Sequence, residues 1–310
     1  MVDIVIVNWN AGNLLKKCID SILFSGNTLQ VRKIIIVDNF STDNSIENLS
    51  KDEKISIIKN SENFGFAKAC NQGFKACSAP YVLLLNPDTQ LFDRTLIDCK
   101  NFLESHLEID ILGCQLLDEA GNISSSCARF PEPIGMFFDA FGLSKIAPKI
   151  FRPAILMTDW DHLESRYVDQ VMGAFMYMRT DIFNKLGYFD ERFFVYFEEL
   201  DFSYRLAKAG GKTFFNTDIK AIHTGMGTTE NVKAFRLFLS LQSRLLYAKK
   251  HFSFMGYVLV WFGTFVIEFI SRLIFLLISR RSSEMRDVLR GYKLLTIETI
   301  RKKGGDKFIY

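Results

Sequence analysis

The sequence predicts a doubly wound α/β fold that gives way to a C-terminal helical extension. Three observations carry this. Short apolar runs recur at 4–7, 34–37, 55–58 and 82–85. Continuous apolarity, rather than alternation, marks strands covered on both faces, as in a parallel sheet. Helical patterns lie between them: Leu14, Leu15, Cys18 and Ile22 share one face, and 66–77 places Ala67, Cys70, Asn71 and Phe74 on another. After residue 231 the pattern is helical, and 252–267 carries no charge. Strand and helix in alternation build a layered α/β unit, and right-handed crossovers bring the loops after successive strands to one edge.

Each later element follows from its own signal. The segment 121–165 scatters Pro131, Pro133, Pro148 and Pro153 among aromatics, so irregular structure or short helices are expected. Residues 168–178 read as a strand. Asp181 is placed to cap a short helix that stops at Gly187. Residues 198–208 read as a helix closed by Gly210 and Gly211, and 235–250 as another. The predicted division is an α/β half at 1–120, a second half at 121–230, and a helical segment at 231–310.

Composition narrows the function. The chain has 310 residues, 48% of them hydrophobic, with 30 Phe, ample for a core. Its net charge of +3 argues against general affinity for nucleic acid, and no RRM, KH or zinc-finger spacing is present. The six cysteines form no CxxC pair, and several fall on apolar helix faces. They read as buried free thiols in a reducing compartment. The N-terminus lacks a basic stretch followed by an apolar one, so no secretory signal is visible and the catalytic part is expected in the cytoplasm.

Three acidic stations carry the chemistry. Asp38 and Asp88 each follow an apolar strand, in VDNFSTDNS and LLLNPDT; Glu198, Glu199 and Asp201 lie on the helix of FEELDFSYR. In open α/β sheets ligands bind at the carboxyl ends of strands. Asp38, with Asn39, can accept hydrogen bonds from a base or a ribose, or simply begin a turn in which Asp43 and Ser45 cap. Asp88 can hold a hard divalent cation with positions open for phosphates, or belong to an ordinary Asn-Pro-Asp turn. Asp201 and Arg205 are spaced to pair on one helix face. Glu198 and Glu199 diverge around the helix, so at most one faces a cleft. His223, in AIHTGMG with Gly225 and Gly227 behind it, suits a loop near phosphates.

Taken in order, IVIVNWNAGNLLKKCIDSI, IIIVDNFSTDNS, NFGFAKACNQGF, YVLLLNPDT, SCARFPEP, the run from VMGAF to LAKAGG, and AIHTGMG resemble glycosyltransferase family 2 over roughly residues 2–250. The likeness is greatest to the rhamnosyltransferase branch that builds bacterial surface polysaccharide. The resemblance implies a GT-A fold, Rossmann-like with a doubly wound mixed sheet. It also implies an inverting transfer from a nucleotide-diphosphate sugar, assisted by Mg²⁺ or Mn²⁺. By motif match, Asn8, Asn10 and Asp38 would line the nucleotide pocket, and Asn63, Gly65, Phe66 and Asn71 would close over base and ribose. Asp88 matches the last Asp of the family's DxD motif, whose first position is Asn86 here. His223 matches a His that helps hold metal and diphosphate. Glu199 occupies the position of the general base, with Glu198 as the alternative. No QxxRW follows, since Gln242-Ser243-Arg244 runs into Leu245, so one sugar per event is implied.

The donor expected is dTDP-rhamnose, or alternatively a UDP-hexose or UDP-hexosamine. A non-catalytic nucleotide-binding scaffold is the rival from another class. The 252–279 stretch is long enough to span a bilayer, but Glu268 and Arg272 would lie within it. A helix in the membrane plane with basic anchors, or a buried hairpin, fits the same sequence. Contact with the inner face of the membrane and a lipid-linked glycan acceptor are the expectation.

Overall fold

The computed structural model describes residues 1–147, 150–225 and 233–304. The strands are β1 (Val2–Asn8), β2 (Val31–Asp38), β3 (Ile55–Lys59), β4 (Tyr81–Leu85), β5 (Thr89–Leu91), β6 (Ile111–Leu117), β7 (Cys127–Ala128), β8 (Arg166–Val168), β9 (Gln170–Val171), β10 (Phe175–Arg179) and β11 (Thr213–His223). The helices are α1 (Asn13–Leu23), α2 (Phe66–Lys75), α3 (Thr95–Ser105), α4 (Pro133–Ala140), α5 (Leu143–Ile146), α6 (Ile182–Leu186), α7 (Glu198–Lys208), α8 (Lys233–His251), α9 (Phe254–Phe262), α10 (Phe269–Ile278) and α11 (Ser282–Gly304). A π-turn, Gly263–Glu268, joins α9 to α10.

The chain divides into two compact units. Unit 1 comprises Met1–Phe130, Ile155–Phe194 and Glu198–Thr228; unit 2 comprises Pro131–Ala154, Val195–Phe197 and Thr229–Tyr310. The boundaries expected near 120 and 230 therefore do not coincide with the compact units. Pro131–Ala154 belongs with the C-terminal helices because α4 packs on α9 and the π-turn. A Cβ on Gly256 would lie 2.8 Å from Pro133, and one on Gly263 would lie 3.2 Å from Phe137.

Among the described residues of unit 1, a nine-stranded sheet runs β3-β2-β1-β4-β10-β6-β11-β5, with β8 on β11. β3, β2, β1 and β4 are parallel, whereas β10 runs antiparallel between β4 and β6, so the sheet is mixed. Period-2 geometry sends Ile4 and Ile6 into one core and Val5 and Val7 into the other, which is why the run has no polar face. Asp3, fully buried at the amino end of β1, is matched by a bidentate Arg32 (2.6 and 2.8 Å) and by the N–H groups of Ser78 and Ala79.

Two local expectations are corrected. The strand expected over 168–178 is broken into β8, β9 and β10, because the chain bends at Asp169 and turns at Met172–Ala174. Asp181 makes no capping bond; its carboxylate pairs with Lys185 at 3.0 Å. All six cysteines are free, five of them buried. Burial holds the thiols in their protonated form, pushing Cys77 and Cys127 up to about 12.

Candidate active site

The strand order reverses beside β1, with β2 on one side and β4 on the other, which is where open α/β sheets place a ligand. Asn8 ends β1 and is paired in register with Asp38, the end of β2. Asn8 is fully buried, so it does not itself line an open pocket. Its amide instead donates to Asp38 Oδ1 (2.8 Å), Ser41 Oγ (3.0 Å) and Ser45 Oγ (2.8 Å). Asn10 adopts φ 53° and its side-chain oxygen accepts from the Thr42 N–H at 2.7 Å. Asp43 accepts from the Gly12 N–H at 2.8 Å and the Ser45 hydroxyl at 2.5 Å. Burial pushes the Asp43 carboxyl up, but these donors hold it below the usual aspartate value. The two loops are thus laced together, and Asp38 lines a cleft of about 220 Å³ with Phe40, Ser41, Asp43, Lys59 and Asn60.

The 60–65 loop is held by Asn39. Its side-chain oxygen accepts from Asn60 (3.0 Å) and from the Phe64 N–H (3.1 Å), and its NH₂ donates to Asn63 Oδ1 (2.8 Å). Asn63 Oδ1 also accepts from the Gly65 N–H at 2.9 Å. Gly65 sits at φ 84°, and a Cβ there would stand 2.5 Å from the Phe194 carbonyl. The Phe66 N–H donates to that same carbonyl at 2.6 Å, and the Phe66 ring packs on the core. Asn71, expected over base and ribose, is only 2% exposed. Its amide bonds the Phe189 carbonyl (2.9 Å), the Phe189 N–H (3.0 Å) and Glu191 (3.0 Å). These contacts make Asn71 a brace between α2 and the 189–191 turn.

Asp88 and His223 lie 135 positions apart in sequence and meet because β5 pairs antiparallel with β11, Thr89 opposite His223. His223 Nε2 stands 3.3 Å from Asp88 Oδ1, and the Thr224 N–H donates to the Asp88 carbonyl at 3.1 Å. Among the described residues no cluster of three or more metal-ligating side chains forms. The Asp88–His223 pair fits a hard divalent cation only when phosphate oxygens complete the shell.

The third station is helix α7, which opens on Glu198 after two residues of positive φ, Tyr196 (68°) and Phe197 (71°). Glu198 is buried and Glu199 partly so. The Glu199 carboxylate rests on Gly173, where an added Cβ would come within 2.3 Å of its Oε1. Burial pushes the Glu199 carboxyl up, against hydrogen bonds from its own N–H, the Gly173 N–H and Glu198. The next residue, Ala174, accepts from the Asn86 N–H (3.2 Å) and the Thr89 hydroxyl (3.3 Å) on either side of Asp88. Gly173-Ala174 therefore ties the glutamate station to the Asp88 station. Its sequence signal was an isolated glycine inside a strand pattern, the mark of a close backbone approach. Asp201 is a structural partner of Arg205 (3.0 Å), which also donates to the Leu186 and Tyr188 carbonyls. Gly227 lies outside the described residues.

Residues 3–124 match the model of Glycosyl transferase family 2. The low-salt glycan biosynthesis hexosyltransferase Agl10 of Haloferax volcanii is 25% identical over 81% of this chain and 76% of its own length. An N-acetylglucosaminyl-diphospho-decaprenol L-rhamnosyltransferase of Mycobacterium tuberculosis is 24% identical over 71% of this chain and 75% of its own. Among solved structures, GalNAc-T7 with UDP, GalNAc and Mn²⁺ superposes with TM-score 0.55 at 14% identity. That match covers 81% of this chain and about half (51%) of GalNAc-T7, and it shows a GT-A fold. Residues 3–124 thus carry a glycosyltransferase family 2 domain, and the curated relatives of the chain include rhamnosyltransferases and a hexosyltransferase.

Proposed function

We propose that this glycosyltransferase of glycan biosynthesis moves rhamnose from dTDP-rhamnose to a lipid-linked glycan at the inner face of the membrane, with inversion. The observation that carries the mechanism is the link between stations: Gly173 cradles the Glu199 carboxylate while Ala174 holds both flanks of Asp88. A base and a diphosphate-binding carboxylate are thereby fixed on one backbone segment. Asp38, held by Asn8, accepts from the base or ribose of the donor, and Asn10, Asn63, Gly65 and Phe66 shape the surrounding loops. Asn71 acts at a distance, by bracing α2. Asp88 and His223 would hold Mg²⁺ or Mn²⁺ together with the diphosphate. Bound there, the metal offsets charge on the leaving nucleoside diphosphate. Glu199 takes the proton of the attacking hydroxyl as that oxygen bonds the anomeric carbon and the diphosphate departs. A single base and no second nucleophilic carboxylate suit one displacement with inversion.

The L-rhamnosyltransferase relative supports rhamnose and a polyprenyl diphosphate acceptor, whereas the hexosyltransferase relative and the UDP-bound neighbour favour a UDP-hexose or UDP-hexosamine donor as the second reading. The test is transfer from labelled dTDP-rhamnose and UDP-sugars to polyprenyl diphosphate glycans, by wild type and by Glu199→Gln. Glu199→Gln is expected to bind donor normally and lose about 10²–10⁴ in kcat. Near-normal turnover by Glu199→Gln would move the base to Glu198.

A further inference from the structure

Unit 2 leaves its longest apolar helix largely uncovered. The continuous helix Phe254–Ile278 has 25 residues and a mean hydropathy of 1.9, and 22% of its most apolar stretch is buried. Length alone would let it cross a bilayer. Its neighbours within the unit argue otherwise. α11 folds back along α10: the Tyr292 hydroxyl donates to the Thr264 carbonyl at 3.1 Å, and its ring meets Phe269 at 4.8 Å. Glu284, in the first turn of α11, pairs with Lys233 of α8 at 3.8 Å. Glu268 is clasped between Arg244 of α8 and Arg272 (2.6 Å). A crossing helix would carry Glu268, Arg272 and the packed Arg244 into hydrocarbon, where ionised side chains are costly.

The π-turn brings most of the exposed apolar residues of the helix to one side, with Phe275 of the last turn exposed on the other. On an unbroken α-helix, at roughly 100° per residue, Ile270 would lie about 160° around the axis from Phe254. The turn Gly263–Glu268 absorbs about one extra residue and brings Ile270 back to about 60°. Phe254, Val258 and Phe262 then share a side with Ile270, Ile274 and Leu277, all of them exposed. Gly256, Val260, Gly263, Thr264 and Glu268, all buried, form the opposite side. Basic residues stand at both ends, Lys249 before the helix and Arg280 and Arg281 after it, all exposed.

We propose that Phe254–Ile278 lies in the plane of an anionic phospholipid bilayer rather than across it. The apolar stripe enters the acyl boundary and the basic ends meet the headgroups. This refines the membrane-associated part of the proposed function and is tested apart from it. The full chain is floated with preformed vesicles of phosphatidylcholine, with and without phosphatidylglycerol. Binding is expected to need the anionic lipid, to vanish in Phe262→Glu/Ile274→Glu, and to fall roughly tenfold or more in Arg280→Ser/Arg281→Ser. In a Trp261→Phe/Phe265→Trp variant, the introduced indole is expected to be quenched best by lipids brominated near the headgroup. Best quenching by lipids brominated near the acyl terminus would mean a crossing helix and overturn the proposal. Failure to float, with a concentration-dependent dimer abolished by the same glutamates, would assign the face to a second copy and also overturn it. Thermal response to nucleoside diphosphates is read on the same samples. A protein that floats but ignores every nucleotide leaves the membrane face standing and refutes the transferase mechanism.

Discussion

Glu199 can rest where it does only because residue 173 has no side chain. Gly173→Ala would put a methyl group 2.3 Å from the carboxylate oxygen, so one of the two must move. Gly173→Ala is expected to fold and bind nucleotide, yet lose at least about tenfold in kcat, because a base displaced by even 1 Å loses its geometry; steady-state kinetics beside nucleotide titration would check this. The raised Glu199 pKa carries a pH signature. A base must be unprotonated, so a raised pKa moves the acid limb of kcat upward, above the ordinary glutamate value of about 4.3. A limb at or below that value would contradict the burial argument. Glu199 and Asp88 stood out in the sequence because carboxylates are unusual beside apolar runs. Asn8 and Asn71 were legible as important but not by role, since whether an amide faces a ligand or a neighbouring turn depends on contacts 30 and 118 residues away.

At the scale of elements, the polar braces set which loops stay in place. Asn71→Ala would strip partners from both the N–H and the carbonyl of Phe189 and is expected to cost about 1–3 kcal/mol. A thermal melt would show the loss, with nucleotide affinity of the folded protein unchanged. His162 is a second brace, in the segment where the sequence offered only prolines and aromatics. Its Nδ1 meets the Trp160 carbonyl (3.0 Å), and its Nε2 accepts from the Ser126 and Cys127 N–H groups (3.3 Å each). Burial lowers its pKa, and a proton on Nε2 would face two N–H donors. The unfolded chain therefore binds the proton more readily, so this contribution to stability is complete above about pH 6.5 and is lost as pH falls below it. His162→Gln is expected to flatten the fall in melting temperature between pH 7 and 5. The parallel strands were legible from their continuous apolarity, and α7 was found at its full extent. β9 and β10 were not separated, because the break at Met172–Ala174 serves a long-range approach that local pattern does not encode.

At the scale of the molecule, the sheet edge brings Asp38, Asp88 and His223 to the ends of their strands, and the Gly173-Ala174 link brings in Glu199. The α/β half and its doubly wound order followed from periodicity and connection rules. The membership of Pro131–Ala154 in the helical unit did not, because its apolar residues seat on helices more than a hundred positions later. The central claim is that Asp88 and His223 bind a nucleoside diphosphate together with a divalent metal. It is tested most directly by thermal shifts with dTDP, UDP, GDP and CDP, each with and without Mn²⁺, on wild type and Asp88→Ala. Ligand at about 100 times its dissociation constant stabilises the folded state by roughly 2.7 kcal/mol. The expected result is metal-dependent stabilisation of wild type, strongest with dTDP, and its loss in Asp88→Ala; no response to any nucleotide with metal, or an undiminished response in Asp88→Ala, would contradict the account.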